Sequence, residues 1–183
     1  PVEDARPIAV DVRAAVNGLN ATLSWKSPIL ADKTLTWSNG EKGKAMGGTS
    51  GTVRKIWAVN AFSSDELASY ADHKITAINV MLNSAVTEMR LVILENSKIV
   101  YSQQVSAEEI AALEVHKWAK MALTTPYVID PSAELSYGYY VVHAADLFPG
   151  LLDSGPAISG ACFIWTSTAK SDFGTTVPWW TNH

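Results

Sequence analysis

Alternation of apolar and polar residues constrains this chain more than any other feature. Residues 8–16 read IAVDVRAAV and residues 19–25 read LNATLSW, so apolar side chains recur at every second position in both runs. The Asn-Gly dipeptide between the two runs is a strong signal for a tight hairpin turn. The sequence therefore predicts a β-hairpin that ends before Pro28, because proline cannot donate a hydrogen bond to a strand ladder.

Further β-type runs continue along the chain, with only two short helix signals between them. The runs are residues 53–62, 74–82, 88–96, 98–105, 118–123, 125–129 and 135–144. Each helix signal is a capping box, formed by Ser63 with Glu66 and by Ser106 with Glu109. This succession predicts an all-β fold, an antiparallel β-sandwich of jelly-roll type with one or two short helices, rather than alternating βαβ units.

Composition excludes several classes of partner. The chain has 183 residues, of which 48% are hydrophobic and 17% charged, with a net charge of −4. Lysine and arginine form no cluster, so a nucleic-acid partner is not expected. No apolar run is long enough to cross a membrane as a helix. The chain begins at Pro1 instead of methionine, which leads us to expect that a signal segment was removed.

A glycine-rich stretch raises the question of phosphate binding. Residues 37–52 read WSNGEKGKAMGGTSGT, but a P-loop built on Gly43-Lys44 would have Ser38 in place of its first glycine and Ala45 in place of its hydroxyl residue. The segment GGTSG also lacks the spacing of a serine nucleophile elbow. We therefore expect these glycines to serve loop geometry.

Motifs of other enzyme classes are not found. The histidines, which lack metal-ligand spacing, are His73, His116, His143 and His183. The single cysteine, Cys162, lies between Ala161 and Phe163 and is expected to be a small core residue instead of a catalytic thiol. The chain is accordingly predicted not to be an enzyme and to need no cofactor, with calcium as the one alternative.

Four carboxylates flank the later β-type runs. They are Asp130, Glu134, Asp146 and Asp153. Their positions fit solvated loop charges, a carboxylate pair for glycoside hydrolysis, or a structural calcium site completed by carbonyl oxygens. The candidate calcium ligands are Asp146 and Asp153.

Aromatic residues are the strongest signal for ligand binding. Tyr137 and Tyr139 share one face of a predicted strand, with Tyr140 on the other, and Trp179-Trp180 lies near the C-terminal end. Rings held on a rigid sheet bind sugar rings or peptide segments with large contact area. The candidate ligand-binding residues are therefore Trp179, Trp180, Tyr137 and Tyr139. The tryptophans of other strand-like runs, expected inside the core, are Trp25, Trp37, Trp57 and Trp118.

Two parts of the chain resemble known families. Residues 8–28, IAVDVRAAVNGLNATLSWKSP, resemble the first two strands of a fibronectin type III domain. The rest is similar to a β-sandwich module of secreted and cell-surface proteins of Bacteroidetes, which often follows fibronectin-like segments. The similar stretches are LTWSNG (35–40), AFSSDELASYADHKITAINVML (61–82), KIVYSQQV (98–105), KWAKMALTTPYVID (117–130), ELSYGYY (134–140) and FPGLLDSGPAISG (148–160).

The resemblance implies both organisation and function. Residues 1–28 would form a fibronectin-like hairpin that joins a main jelly-roll sandwich of residues 29–183. The chain would be a non-catalytic extracellular or cell-surface module for binding or adhesion, with a glycan or a surface protein as partner. A structural spacer or assembly domain of a larger surface protein is the alternative, and a glycan hydrolase is a third.

Overall fold

The computed structural model describes residues 10–26, 32–46, 54–156, 158–167 and 181–182. The chain forms two compact units, Pro1–Leu35 and Thr36–His183. In chain order the strands are β1 (Val10–Asn17), β2 (Asn20–Lys26), β3 (Lys42–Met46), β4 (Arg54–Phe62), β5 (Lys74–Val80), β6 (Glu88–Glu95), β7 (Lys98–Gln104), β8 (Ala119–Val128), β9 (Leu135–His143), β10 (Gly150–Asp153), β11 (Cys162–Ser167) and β12 (Thr181–Asn182). All their pairings are antiparallel, which confirms the predicted all-β, sandwich-like fold.

The first unit contains the predicted hairpin. Strands β1 and β2 pair up to Asn17 and Asn20, and Gly18 turns the chain with a φ of 65°. The expected alternation is interrupted, because a bulge between Val10 and Arg13 gives Asp11 a φ of 57°. The side chains of residues 11–24 are all exposed. Whether the hairpin joins the main sandwich, as the resemblance implies, stays a prediction.

The second unit is organised around a six-stranded sheet with the order β12-β11-β4-β9-β6-β7. Its central strands β6 and β9 read EMRLVILE and LSYGYYVVH, and side chains on both of their faces are buried. A Cβ at Gly138 would overlap the carbonyl oxygen of Ala58 and lie 2.7 Å from the Cα of Val59. Glycine is therefore required where β9 passes β4.

Two smaller strand pairs complete this unit. Strand β5 pairs with β8 and contacts β9, and its Ile78 and Val80 are buried. Strand β3 pairs with β10, with Lys42 opposite Asp153. Residues of β3, β5 and β10 line a pocket in this unit.

The edge of β8 that faces β7 is partly closed by a side chain. Gln103 donates from Nε2 to the carbonyl oxygen of Ala122 over 3.1 Å, and its Oε1 accepts from the backbone N of Thr124 over 2.8 Å. A side-chain amide thus makes the two bonds that a neighbouring strand would make, and it links β7 to β8. This edge offers fewer unpaired groups to another chain.

Both capping boxes begin short helices, as predicted. The helices are α1 (Ser64–Leu67), which continues as a 3₁₀ turn, and α2 (Ala107–Ala112). Ser63 N donates to Glu66 Oε2 over 2.8 Å, and Ser106 N donates to Glu109 Oε2 over 2.9 Å. Among the described residues, no helix has the length and apolar character that a membrane crossing requires.

Candidate functional site

A pocket of about 240 Å³ opens within the second unit. Strands β4, β5, β9 and β10 contribute its apolar walls, including Val59, Ile78 and Gly138. The rim comes from Trp118 and from residues 37–38, 41–42, 155–156, 158 and 161–162. The pocket therefore combines a rigid floor made by sheet residues with an edge made largely by loops.

An aromatic stack fixes one wall of the pocket. The ring of Trp37 stacks on Phe62 at 5.1 Å, and Phe62 stacks on Tyr137 at 5.8 Å, with interplanar angles of 11° and 4°. Trp37 also donates from Nε1 to the carbonyl oxygen of Ala61 over 2.8 Å. Since Trp37 and Tyr137 both line the pocket, their rings are held in place before any ligand enters.

Trp118 lies at the rim, just before β8, and 51% of its surface is exposed. Its Nε1 lies 3.4 Å from the carbonyl oxygen of Gly40, a donor contact that links two rim loops. The prediction that Trp118 packs inside the core is therefore wrong. Trp37 is half-buried, whereas Trp57 is buried as predicted and packs edge-on against Tyr140.

The glycine-rich stretch forms part of the rim. Gly40 adopts a φ of 83°, and the backbone N of Glu41 bonds to Oδ1 of Asn39 over 2.9 Å. The backbone N of Ser154 then donates to the carbonyl oxygen of Glu41. Its first glycine therefore serves a turn, as expected, while GGTSG at 47–51 lies outside the described residues.

Amide groups add hydrogen-bonding capacity to the aromatic wall. Asn60 on β4 and Asn79 on β5 both line the pocket. Burial raises the pKa of Tyr137 to about 12, although hydrogen bonds with Thr36 and Asn60 act in the opposite direction. The Tyr137 hydroxyl is therefore neutral at physiological pH.

The single cysteine also lines the pocket. Burial, followed by the negative charge of Asp153, raises the pKa of Cys162 to about 11. A thiol with this pKa is protonated at neutral pH, and the thiolate is the nucleophilic form. Cys162 is half-buried in the pocket wall and is not the core residue that the sequence predicts.

The structure brings two of the predicted ligand-binding residues together. Tyr137 and Tyr139 both line the pocket, and Tyr139 is only 9% exposed. Burial raises the pKa of the Tyr139 hydroxyl well above its ordinary value, and that hydroxyl bonds to the backbone of Leu151. Trp179 and Trp180 lie outside the described residues, so their role stays a prediction.

The two candidate calcium ligands lie in different parts of the second unit. Asp153 lines the pocket, whereas Asp146 is exposed in a turn after β9 with a φ of 58° and is not part of the lining. Within the part of the chain that the structure describes, no three His, Cys, Asp or Glu residues are grouped to hold a metal ion. Calcium binding at these residues stays a prediction.

Sequence reasoning missed several lining residues, chiefly Trp118, Asn60 and Glu41. Asn60 and Tyr137 are cross-strand partners although they are far apart in sequence, so no local pattern places them together. No family model, curated protein or solved structure matches the chain. The function must therefore be inferred from the pocket itself.

Proposed function

We propose that the chain is a non-catalytic binding module whose pocket holds one ring of a glycan. The observation that carries this proposal is the combination of Trp37, Trp118 and Tyr137 with the amides of Asn60 and Asn79 in one lining. A sugar ring has apolar faces that pack on aromatic rings and hydroxyl edges that bond to amides. The lining offers both kinds of group.

The size of the pocket supports a single ring as the bound unit. At about 240 Å³, the pocket is smaller than the ~300–1,000 Å³ of sites that enclose drug-sized ligands. The exposed ring of Trp118 at the rim extends this surface toward solvent. A longer glycan would therefore place one residue inside and pack a neighbouring residue on Trp118.

Binding without catalysis is supported by the chemistry of the side chains. Cys162 is protonated at neutral pH, and Asp146, one of the carboxylates that could pair with Asp153 in a hydrolase, is not in the lining. Glu41 and Asp153 both line the pocket, so a hydrolase would have to use this pair. Release of new reducing ends from a bound oligosaccharide would identify that activity.

A structural or assembly role is the second candidate, and the hairpin favours it. Four large apolar side chains of the hairpin are strongly exposed, namely Val12, Val16, Leu19 and Leu23. Exposed apolar patches mark interaction surfaces. Concentration-dependent association in sedimentation velocity, abolished by Leu23→Ser, would support this role. In either case we propose an extracellular or cell-surface location, as the family resemblance implies.

A glycan-array screen tests the binding proposal. The parent chain would be compared with Trp118→Ala, with Trp118→Phe, and with Val128→Ala as a control on β8 outside the lining. We expect binding by the parent and the control, loss with alanine, and partial retention with phenylalanine, which keeps an aromatic face. A double variant, Trp179→Ala/Trp180→Ala, tests whether glycan binding depends on the C-terminal tryptophans instead of the pocket.

The outcomes separate the hypotheses. Loss of binding only in the double variant would move the site to the C-terminal tryptophans and overturn the pocket assignment. Failure of the folded parent to bind any glycan would overturn the glycan proposal and leave the assembly role. Circular dichroism of every variant would establish that lost binding is not lost folding.

A further inference from the structure

The pocket lining contains more acidic than basic residues. Glu41, Lys42 and Asp153 all belong to the lining. Lys42 places its Nζ 3.1 Å from Nε2 of His116, which is not part of the lining. The single lysine therefore directs its charge toward a neighbouring loop, whereas the other two charged residues of the lining are acidic.

The negative charge of Asp153 acts inside the pocket. Its Oδ1 accepts a hydrogen bond from the backbone N of Gly155 over 3.0 Å, which holds the carboxylate at the start of the rim loop. After burial, this carboxylate is the second cause that raises the pKa of Cys162. A ligand group beside Cys162 would experience the same negative potential.

Aromatic rings reinforce this bias. Trp37, Trp118 and Tyr137 belong to the lining, and the face of an aromatic ring carries the negative side of its quadrupole, which attracts a cation within about 6 Å. In a partly enclosed site such charge interactions are screened less than in bulk water. Aromatic faces and carboxylates therefore act in the same direction.

From this arrangement we infer that the pocket selects sugar residues carrying a protonated amine and rejects those carrying a carboxylate. The inference rests on the proposed glycan-binding function and specifies its substrate class. An amino sugar would pack its ring on the aromatic wall and direct its ammonium group toward Glu41 or Asp153. A uronate at the same position would bring a third carboxylate into the site.

Three tetrasaccharides with the same β-1,4-linked gluco backbone test this charge preference. They are neutral cellotetraose, its 2-amino analogue and its uronate analogue. Titration calorimetry at low salt and about pH 6 measures the three affinities. We expect the amine tetramer to bind about tenfold more tightly than the neutral one and the uronate more weakly than either, as for partly exposed charge pairs.

Single substitutions test whether the carboxylates cause the preference for the amine tetramer. Glu41→Gln and Asp153→Asn should each weaken binding of the amine tetramer by about two- to fivefold and leave the neutral tetramer nearly unchanged. Glu114→Gln is the matched control, because Glu114 is an exposed carboxylate that pairs with Lys117 on a loop outside the lining. High salt should reduce the amine preference in the parent but not the binding of the neutral tetramer.

Cys162 provides an independent readout of location. It is the only cysteine in the chain and lines the pocket, so a ligand bound there should slow its reaction with N-ethylmaleimide. Equal affinity for the three tetramers, or a preference for the uronate, would overturn the charge inference while leaving glycan binding intact. Failure of all three to bind or to protect Cys162 would overturn both.

Discussion

The hairpin and the central sheet are both built from strands, yet their side chains meet opposite environments. In the hairpin, Leu23 is 63% exposed although it lies in a regular alternating run. In the sheet, Leu91 is fully buried within the nearly continuous apolar run of β6. Alternation therefore specifies strand geometry, whereas the elements that cover a strand determine its burial.

The same contrast distinguishes the side chains that stabilise the fold from those that line the pocket. Most side chains of strands β6 and β9 are buried, and these side chains are committed to packing. Tyr137 of β9 is an exception: like Trp37, it is half-buried, stacks on the buried Phe62 and lines the pocket. Functional side chains thus lie where a well-packed region meets an uncovered one.

Glycine substitutions should give the largest difference in stability loss between the central sheet and the hairpin. Gly138→Ala would place a Cβ against the backbone of β4, and we expect a loss of at least about 3 kcal/mol in unfolding free energy. At Gly18 no atom lies within 4 Å of an added Cβ, so Gly18→Ala should cost only about 1 kcal/mol, from its positive φ. Urea denaturation of both variants measures the difference, and similar losses would contradict the contrast.

Leucine truncations should give the next largest difference. Leu91→Ala removes a fully buried side chain, for which we expect a loss of about 2–5 kcal/mol. Leu23→Ala changes an exposed side chain and should alter stability by less than about 0.5 kcal/mol. A loss above about 2 kcal/mol for Leu23→Ala would indicate that the hairpin face is covered in solution.

Local features of the chain were predictable for physical reasons. The Asn-Gly turn and the two Ser-x-x-Glu capping boxes depend on residues a few positions apart, so sequence alone places them. The pocket depends on long-range pairing, such as that between β4 and β9, and on three rim segments that meet only in the folded chain. Tyr137 and Tyr139 could be proposed from one strand, but Trp118 could not be assigned to the rim.

The pH dependence of Cys162 alkylation should differ between the folded and the unfolded protein. Burial disfavours the thiolate, so the folded pKa of about 11 lies above the ordinary value of 9.0. Alkylation by iodoacetamide should therefore rise with a midpoint near pH 11 in the folded protein and about two units lower in urea. Because the unfolded thiol loses its proton first, this group should reduce stability as pH rises from about 9 to 11. A folded midpoint near pH 9 would show that Cys162 is open to water.

Removal of Trp118 should have only a small effect on stability. Half of this side chain is exposed and its bond to Gly40 is long, so Trp118→Ala should cost no more than about 1 kcal/mol. Thermal unfolding followed by circular dichroism checks this expectation. A loss of several kcal/mol would assign Trp118 to the core and remove the basis for using it as a binding probe.

Indole N–H resonances test the pocket assignment most directly. The chain has seven tryptophans, and single substitutions would assign their Nε1–H signals in an ¹H–¹⁵N spectrum. On titration with the 2-amino tetramer, we expect the signals of Trp37 and Trp118 to shift while that of buried Trp57 stays in place. Shifts confined to Trp179 and Trp180, or no indole shift despite measured binding, would contradict the assignment of this pocket as the glycan site.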